Sequence, residues 1–303
     1  MSGGGIALEH WTLFAVQSDV IGANDSANCR NDLPHRGDEQ SKSHGMTNYA
    51  GRYAELYDLF YSDKPYAEEA RFVHECIQKF GTRPTREILE LACGTGRHAF
   101  ELEKFGYQIT ATDRSEDMLH IASHRAAKNG SKIVFVASDM RDLQLPSKEY
   151  DAAICLFDSI GYLKTDEEVC NAFTEIWNHL RSGGLFICEF WHAPAMLSQY
   201  SPTRARRWKT STGEIVRISE TTLDRGKRLA DVDYTIYELN NDGTYSTLRE
   251  AHTNRYFSVD EMKNLVSHTN FEPLKFFAGF NKEEPINDDT WHVVAVARKM
   301  SGP

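Results

Sequence analysis

The sequence predicts an α/β fold in which a parallel sheet is covered on both faces by helices and an antiparallel sheet is inserted late in the chain. Three observations predict it. Between residues 65 and 190, short apolar runs typical of buried strands alternate with segments of helical periodicity. A glycine-rich turn follows the first apolar run. After about residue 205, longer segments of strand character are joined by hairpin signals.

The helices of the predicted core are defined by their apolar spacing and by their ends. Over 65–80, apolar residues recur every three to four positions and a proline suits the first turn. A second helix follows the glycine-rich turn and closes at Gly106. Ser115 caps a third helix, and Thr165 with Glu168 forms a capping box for a fourth.

The strands of the predicted parallel sheet lie between these helices. Each is a short apolar run, as expected for strands that are buried on both faces. Gly183 and Gly184 end the fourth helix before the last of these strands. The predicted strands cover residues 88–92, 107–112, 132–137, 151–157 and 185–190.

The later part of the chain predicts an antiparallel sheet, a helix and two closing strands. Residues 224–226 (DRG) and 241–243 (NDG) are hairpin signals that join three strand segments. Ser258 with Glu261 caps a further helix. The predicted strands cover residues 214–222, 230–239, 244–256, 274–280 and 291–297.

Composition excludes several classes of protein. The chain has 303 residues, of which 41% are hydrophobic and 26% charged, as in ordinary globular proteins. Its net charge of −10 disfavours a nucleic-acid partner, which usually needs a basic surface. No apolar run approaches the roughly 18 residues that a membrane span requires. The cysteines show no zinc-binding spacing, and several lie in apolar runs, so we expect no metal and a reduced, cytoplasmic setting.

Four regions follow from these patterns. Residues 1–46 are rich in Gly, Ser, Asn and Asp without sustained periodicity, which predicts a disordered extension or a start that is not native. Residues 47–205 form the ligand-binding α/β core with its N-terminal helices. Residues 206–257 form the inserted sheet, and residues 258–303 supply the last helix and strands of the core.

The glycine-rich turn is the first candidate for chemistry. Residues 94–99 (GTGRHA) match the GxGxxG/A fingerprint, and Asp113 lies 19 positions after Gly94. The fingerprint alone is typical of nicotinamide and flavin enzymes. Its physics serves any adenosyl ligand, because the glycines allow close approach of the backbone and an acid at the end of the second strand binds ribose hydroxyls.

Three details favour S-adenosyl-L-methionine over a dinucleotide. Glu90 stands within the first strand, where a carboxylate suits a ligand that carries ammonium and sulfonium charges better than a diphosphate. Asp139 and Met140 end the third strand and could offer a carboxylate and a backbone N–H to an adenine ring. The glycine pair at 183–184 and two final strands after a late helix fit a seven-stranded sheet.

The residues that carry these details resemble a known family. Residues 90–96 (ELACGTG) resemble the first motif of class I S-adenosylmethionine-dependent methyltransferases, and residues 138–143 (SDMRDL) and 180–184 (LRSGG) resemble later motifs. The ordered set spans about residues 86–198. The resemblance implies an enzyme with a Rossmann-like, seven-stranded methyltransferase sheet, into which the antiparallel β-sheet predicted above is inserted. It also implies S-adenosyl-L-methionine as the cofactor.

A finer resemblance points to the N-methyltransferases that dimethylate nucleotide-linked amino sugars in macrolide biosynthesis. The same segments also occur in relatives with other substrates. The segments that carry it are residues 57–61 (YDLFY), 66–70 (YAEEA), 115–119 (SEDML), 139–142 (DMRD) and 161–165 (GYLKT).

The resemblance implies how the first two strands would hold the cofactor. Gly94 and Gly96 would pass beneath its amino-acid end, and Glu90 and the carbonyl of Ala92 would favour its ammonium group. Asp113 would bind the ribose. Glu90 has the alternative of binding backbone amides of a neighbouring turn, and Asp113 has the alternative of capping the helix that follows it.

Four further residues complete the implied cofactor site. Asp139 and Met140 would hold the adenine. Phe157 would lie on the sulfonium side, with a place in the core as its alternative. Tyr66 would reach the cofactor carboxylate, although it also falls on the apolar face of its helix, where packing is the alternative.

Candidates for a base or for orienting the substrate are Tyr61, Tyr162 and His192, together with Asp158. His192 follows the fifth strand, at the edge where such sheets bind their ligands. Each has a structural or surface role as its alternative. His98 is expected on the surface of its helix. The basic run over residues 204–207 (RARR) predicts a solvated turn, with attraction of a phosphate-bearing substrate as the alternative.

These observations predict a methyltransferase that transfers a methyl group to a small polar acceptor, and the predicted acceptor is an amine such as that of an amino sugar. Alternatives are a small-molecule O-methyltransferase and a regulator that binds S-adenosylmethionine without turnover. The residues after the fourth strand, 158–161 (DSIG), lack the signature of nucleic-acid amino-methyltransferases. We expect the inserted sheet either to cover the site or to form the contact of a homodimer.

Overall fold

A computed structural model describes residues 49–145 and 149–300 of the chain. The extension predicted over residues 1–46 lies outside the described residues. Within the described ranges, no helix combines the length and the apolar character needed to cross a bilayer.

The described chain forms helices and strands in the order that the sequence predicts, with three additions. The additions are a helix at the start, a short helix after the fifth strand and a first strand of the inserted sheet. In chain order the elements are α1 (Gly51–Phe60), α2 (Tyr66–Phe80), β1 (Glu87–Leu91), α3 (Arg97–Glu103), β2 (Gln108–Asp113), α4 (Glu116–Asn129), β3 (Val134–Ala137), β4 (Tyr150–Cys155), α5 (Asp166–His179), β5 (Leu180–Trp191), α6 (Ala193–Gln199), β6 (Thr203–Lys209), β7 (Gly213–Asp224), β8 (Leu229–Asn240), β9 (Tyr245–Arg255), α7 (Val259–His268), β10 (Phe271–Ala278) and β11 (His292–Lys299).

The larger sheet has seven strands in the order β10-β11-β5-β4-β1-β2-β3, which confirms the predicted fold. Strands β1 to β5 run parallel, and β11 runs antiparallel to both of its neighbours. One face packs against α5 and α7, and the other against α2, α3 and α4. Because both faces are covered, ligands can approach only at an edge, and in parallel sheets that edge is the carboxyl one.

Local hydrogen bonds explain where the helices begin. The Ser115 hydroxyl accepts from the backbone N–H of Met118 at the start of α4. Ser258 and Glu261 form a complete capping box at the start of α7. At α5 the box is only half formed, because the Glu168 carboxylate accepts from the N–H of Lys164 and not from that of Thr165.

Two local predictions were wrong. Helix α5 ends at His179, before the glycine pair, and β5 begins at once, so Gly183 (φ +74°) and Gly184 lie within a strand. The basic run over residues 204–207 is not a turn. It belongs to strand β6, whose alternating side chains lie on opposite faces of the sheet.

The inserted strands form a four-stranded antiparallel sheet, β6-β7-β8-β9. One face packs on α1, where Phe60 meets Trp208, Ile215 and Ile236 in an apolar cluster. Strand β9 also contacts the 3-10 turn Ser159–Tyr162, which follows β4. The inserted sheet therefore lies beside the carboxyl edge of the parallel sheet.

Candidate active site

The turn between β1 and α3 is shaped by left-handed backbone conformations. Gly94 has φ +55° and Gly96 φ +75°, and Ala92 adopts φ +52° despite its side chain. A Cβ atom at Gly96 would lie 3.0 Å from the ring of Phe135. Asp113 fixes this turn, since its two carboxylate oxygens each accept a backbone N–H at 2.8 Å, from Gly94 and from Ser115. Glycine is therefore required at Gly94 and Gly96 by the left-handed backbone, and at Gly96 also by the close approach of Phe135.

Helices α1 and α4 hold the same turn from outside. The Thr95 hydroxyl donates to Asp58 at 2.7 Å, and Arg125 donates to the Thr95 carbonyl at 2.7 Å. Arg125 and Asp58 also form an ion pair. The turn is therefore fixed by two separate helices, which suits a binding site that must be preorganised.

Glu90 lies at the centre of this edge with an unsatisfied oxygen. The residue is 2% exposed, and its Oε2 has no hydrogen-bond partner among the described residues. Burial, assisted by the negative charge of Asp113, raises the pKa of Glu90 to about 8. A buried carboxylate gains most from a cationic partner. This residue fits the ammonium or sulfonium charge of S-adenosylmethionine and does not fit a diphosphate.

A small pocket lies at the carboxyl ends of β1 and β4. Four of the predicted site residues line it, and Gly94 and Gly96 form the adjoining turn. The lining residues are Tyr57, Tyr66, Glu90, Ala92, Cys93, Thr95, Arg97, His98, Leu156, Phe157 and Ser159.

The structure places Asp139 and Met140 beyond this pocket lining. The Asp139 carboxylate accepts from Arg141 at 2.7 and 3.0 Å and pairs with Arg114 at 3.3 Å. Partial burial acts to raise the pKa of Asp139, but the hydrogen bonds from Arg141 outweigh it and the pKa is lowered. Met140 is buried in the core. An adenine contact from Asp139 would therefore use a carboxylate already bound to arginine.

The turn after β4 carries two strained residues. Phe157 and Asp158 both adopt φ +56°, a conformation that is costly for residues with side chains. The N–H of Phe157 donates to Glu189 at 2.6 Å, and the Phe157 ring contacts that of Tyr61 at 4.9 Å between centroids. The Lys64 ammonium lies 4.4 Å from the Phe157 ring centre. Strain of this kind persists where surrounding contacts enforce it, which is typical of functional sites.

Asp158, Glu189 and His292 form a buried cluster behind that turn. The Nδ1 atom of His292 lies 3.0 Å from Asp158 and 3.2 Å from Glu189. Burial opposes the positive charge of His292, but the two carboxylates raise its pKa to about 10. Burial raises the pKa of Asp158 to about 6. Burial alone would also raise the pKa of Glu189, but the hydrogen bond with His292 and the charge of Lys64 lower this pKa to about 2.

Sequence reasoning missed Glu189 and His292. Glu189 has the same signal as Glu90, a carboxylate inside an apolar strand, and could have been found by it. His292 gives no such signal, because its place opposite Trp191 depends on the antiparallel register of β11 against β5.

The prediction that His98 lies on the helix surface was wrong. His98 is buried, and its Nε2 bonds the carboxylate of Glu69, which also pairs with Lys64. Glu69 itself has no exposed surface, so α2 and α3 meet through a buried charge network. The Tyr66 ring lies against His98 and under the guanidinium of Arg97. Tyr66 therefore packs against both residues and also lines the pocket.

The structure keeps Tyr61 and Tyr162 within electrostatic reach of each other and places His192 apart from both. Tyr61 contacts Phe157 at the pocket wall. The Tyr162 hydroxyl bonds that of Tyr49 and lies 3.2 Å from Nδ1 of His252, on the inserted sheet. His192 is buried elsewhere, with its Nδ1 at 3.0 Å from the Thr290 carbonyl, and it is not among the residues that line the pocket.

Comparison with known proteins identifies the family. A methyltransferase domain model matches residues 88–184. A dTDP-3-amino-3,4,6-trideoxy-alpha-D-glucopyranose N,N-dimethyltransferase from Streptomyces venezuelae is 30% identical over 245 residues, covering 78% of this chain and 92% of that protein. A glycine/sarcosine N-methyltransferase from Parasynechococcus marenigrum is 24% identical over 255 residues, covering 82% and 85%.

The fold comparison agrees. The crystal structure of an S-adenosylmethionine-dependent methyltransferase from Clostridium acetobutylicum superposes with a TM-score of 0.71 at 20% identity, covering 82% of this chain and 98% of that one. With the glycine turn, the buried Glu90 and the seven-stranded sheet already in place, the chain belongs to the S-adenosylmethionine-dependent methyltransferases.

Proposed function

We propose that this enzyme methylates an amine nitrogen of a small polar acceptor, such as the amino group of an amino sugar. One observation carries the proposal: the relative from S. venezuelae, 30% identical over 92% of its length, is named as an N,N-dimethyltransferase of a dTDP-linked amino sugar. The glycine/sarcosine N-methyltransferase is also named for transfer to nitrogen. These names support a nitrogen acceptor and a small molecule.

When bound, S-adenosylmethionine supplies a methyl group on a sulfonium that leaves readily in an in-line displacement. In our proposal Glu90 and the Ala92 carbonyl hold its ammonium end above Gly94 and Gly96, and Asp113 holds the ribose. The remaining task of the protein is to align and desolvate the acceptor. Positioning of that kind can supply about 7–11 kcal/mol of the barrier.

The remaining predicted contacts surround the methyl and the adenine. Asp139 and Met140 would hold the adenine, and Tyr66 would reach the cofactor carboxylate. Phe157, with its ring against Tyr61, would face the sulfonium and the acceptor. His192, whose Nδ1 bonds a backbone carbonyl away from the pocket, is the weakest of the catalytic candidates on geometry.

The protonation states near the acceptor support nitrogen over oxygen. Burial raises the pKa of the Tyr162 hydroxyl well above its usual range, so Tyr162 stays protonated and acts by hydrogen bonding. Burial also lowers the pKa of His252 to about 4, so its imidazole is neutral beside Tyr162. A neutral amine needs orientation more than a strong base, because its proton can leave after transfer.

A panel assay tests the proposal. The full chain is incubated with methyl-labelled S-adenosylmethionine and a dTDP-linked amino sugar, glycine or sarcosine, each beside its hydroxyl analogue, and products are identified by mass spectrometry. We expect label on an amine, and loss of at least about tenfold in kcat for Tyr162→Phe at unchanged cofactor affinity. Tyr245→Phe, at a residue 69% exposed, is the matched control.

Two outcomes would contradict the proposed function, and a third would contradict the role given to Tyr162. Label on a hydroxyl analogue alone would make the enzyme an O-methyltransferase. Tight binding of the cofactor with no labelled product from this panel or from a cell extract would favour a regulator. Equal kcat in Tyr162→Phe and the control would remove Tyr162 from the acceptor site.

A further inference from the structure

Arg217 is a buried cation without a carboxylate partner. The residue lies on β7 and is 7% exposed. Within the described ranges no carboxylate lies within 4.0 Å of its guanidinium, whereas Arg206 pairs with Asp63 and Arg207 with Glu214. Its Nη1 atom is buried and has no hydrogen-bond partner among the described residues. Burying a charge without a counterion is costly, so the position calls for an anion.

Aromatic rings surround this guanidinium and account for only part of its needs. The guanidinium carbon lies 4.7 Å from the ring centre of Phe60, 4.9 Å from Tyr234, 5.3 Å from Trp208 and 5.5 Å from Tyr61. Ring faces attract a cation. Tyr61 also forms a hydrogen bond with Arg217. Within the described part of the chain, the Nη1 hydrogens still lack an oxygen acceptor, which a carboxylate or phosphate would supply in the forked geometry that arginine favours.

Strand β6 places further arginines beside Arg217, although like charges on neighbouring strands destabilise a sheet. Arg206 on β6 stands directly opposite Arg217 in the register of the two strands. Like charges in this arrangement are destabilising. Arg204, two residues earlier on the same face, is half-buried, and burial lowers the pKa of its guanidinium. Tyr234 lies within the electrostatic reach of both Arg204 and Arg217.

The position of Arg217 ties it to the reaction site. The Tyr61 ring contacts both Arg217 and Phe157, and Phe157 lines the pocket at the ends of β1 and β4. The same face of the inserted sheet meets the turn after β4 through His252 and Tyr162. The cation therefore lies one aromatic ring away from the pocket wall, on the side of the inserted sheet.

We propose that Arg217 binds an oxyanion of the acceptor, a phosphate or a carboxylate, beside the pocket that holds the methyl donor. This proposal rests on the proposed function, since it describes the second end of the same acceptor. The acceptor then carries an amine at the pocket and a negative charge at the inserted sheet. Removing one charged partner from such a contact costs about tenfold or more in affinity.

Calorimetry on the full chain saturated with S-adenosylhomocysteine tests the proposal, with pyrophosphate and acetate as probes. The variants are Arg217→Gln, Arg217→Lys and, as the matched control, Arg249→Gln at an exposed position of β9. We expect one probe to bind the wild type and the control equally, and Arg217→Gln to bind it at least about tenfold more weakly. Pyrophosphate binding would indicate a phosphate-bearing acceptor, and acetate binding a carboxylate.

Equal affinity in Arg217→Gln and the wild type, or no binding of either probe to the wild type, would overturn the proposal. Thermal melts show whether Arg217→Gln folds. If it does not, Arg217→Lys decides, because it keeps the charge and loses the forked geometry: unchanged affinity there overturns the proposal as well. Anion binding that depends on Arg217 in a protein that methylates no amine would count against the proposed function alone.

Discussion

The imidazole Nδ1 of His292 lies 3.0 Å from Oδ2 of Asp158, a residue 134 positions earlier in the chain. The same nitrogen lies 3.2 Å from Glu189, whose other oxygen accepts the N–H of Phe157 at 2.6 Å. A residue of the last strand thus holds the strained turn at the pocket wall. The charges of this cluster also make its contribution to stability depend on pH.

Replacement of His292 by glutamine tests that dependence. The pKa of His292 is raised from 6.5 to about 10 in the folded protein, so its stabilisation is complete below pH 6.5 and is lost as the pH rises to about 10. We expect His292→Gln to lower the free energy of unfolding at pH 7 by about 3 kcal/mol, because two buried carboxylates lose their partner. Melting temperatures between pH 7 and 10 should fall more steeply in the wild type than in the variant. His124→Gln, on the surface of α4, is the control, and parallel curves for all three proteins would contradict the prediction.

Glu90 predicts a decline of stability with rising pH as well, over a lower pH range than that of His292. Its pKa rises from 4.5 to about 8 on folding, so the folded protein without cofactor holds a proton that the unfolded chain releases, and stability falls as the pH rises from about 4.5 to 8. Glu90→Gln should flatten this decline and weaken binding of S-adenosylmethionine, while Glu87→Gln on the same strand should do neither. Thermal melts from pH 5 to 8 and calorimetry provide both measurements. A decline of equal slope in Glu90→Gln would show that burial does not hold the proton there.

Asp113→Ala should weaken binding of S-adenosylmethionine by at least about tenfold, or 1.4 kcal/mol. The substitution removes the proposed ribose contact and also the acceptor for the N–H groups of Gly94 and Ser115. Asp233→Ala, at an exposed position of β8, is the matched control. Calorimetric affinity that stays unchanged in Asp113→Ala would remove the ribose assignment.

Comparison of Gly96→Ala with Gly106→Ala distinguishes the steric effect of a new Cβ atom from the cost of a left-handed backbone. The new Cβ would lie 3.0 Å from the Phe135 ring, in addition to the cost of φ +75°. Gly106→Ala meets a similar φ of +87° with no atom within 4 Å. Both variants should lose roughly 1–2 kcal/mol of stability from the backbone conformation. We expect Gly96→Ala, but not Gly106→Ala, to bind the cofactor more weakly. An equal loss of cofactor affinity in both variants would contradict this and would leave Gly96 a role in stability only.

The sequence was sufficient for features that depend on local patterns. Apolar periodicity predicted the strands of the parallel sheet, and Ser115 and Ser258 marked two helix starts, because a capping side chain bonds backbone groups only two or three residues away. Asp113 lies beside the glycine turn because β1 and β2 are neighbours in the sheet, and the spacing of the motif reveals this proximity. Such contacts need no knowledge of the inserted sheet.

The sequence was insufficient where burial depends on distant partners. His98 follows a polar helix start, and only the approach of α2, with Glu69, buries it. Residues 204–207 read as a basic turn because alternation of arginine, alanine and arginine shows no apolar face, and the pairing with β7 is what makes them a strand. The cation of Arg217 gave no signal, since its rings come from α1, β6 and β8.

Strand β11 pairs with β5 although residues 192–291, which include the inserted sheet, separate the two strands in the sequence. Closing a segment of that length costs chain entropy before its contacts repay it, and pairings of high sequence separation slow folding. We expect the carboxylate–imidazole cluster to form late in folding, after the earlier strands have assembled. A partly folded chain could then present its glycine turn well before the turn after β4 is held in place, so competence to bind the methyl donor would precede competence to use it.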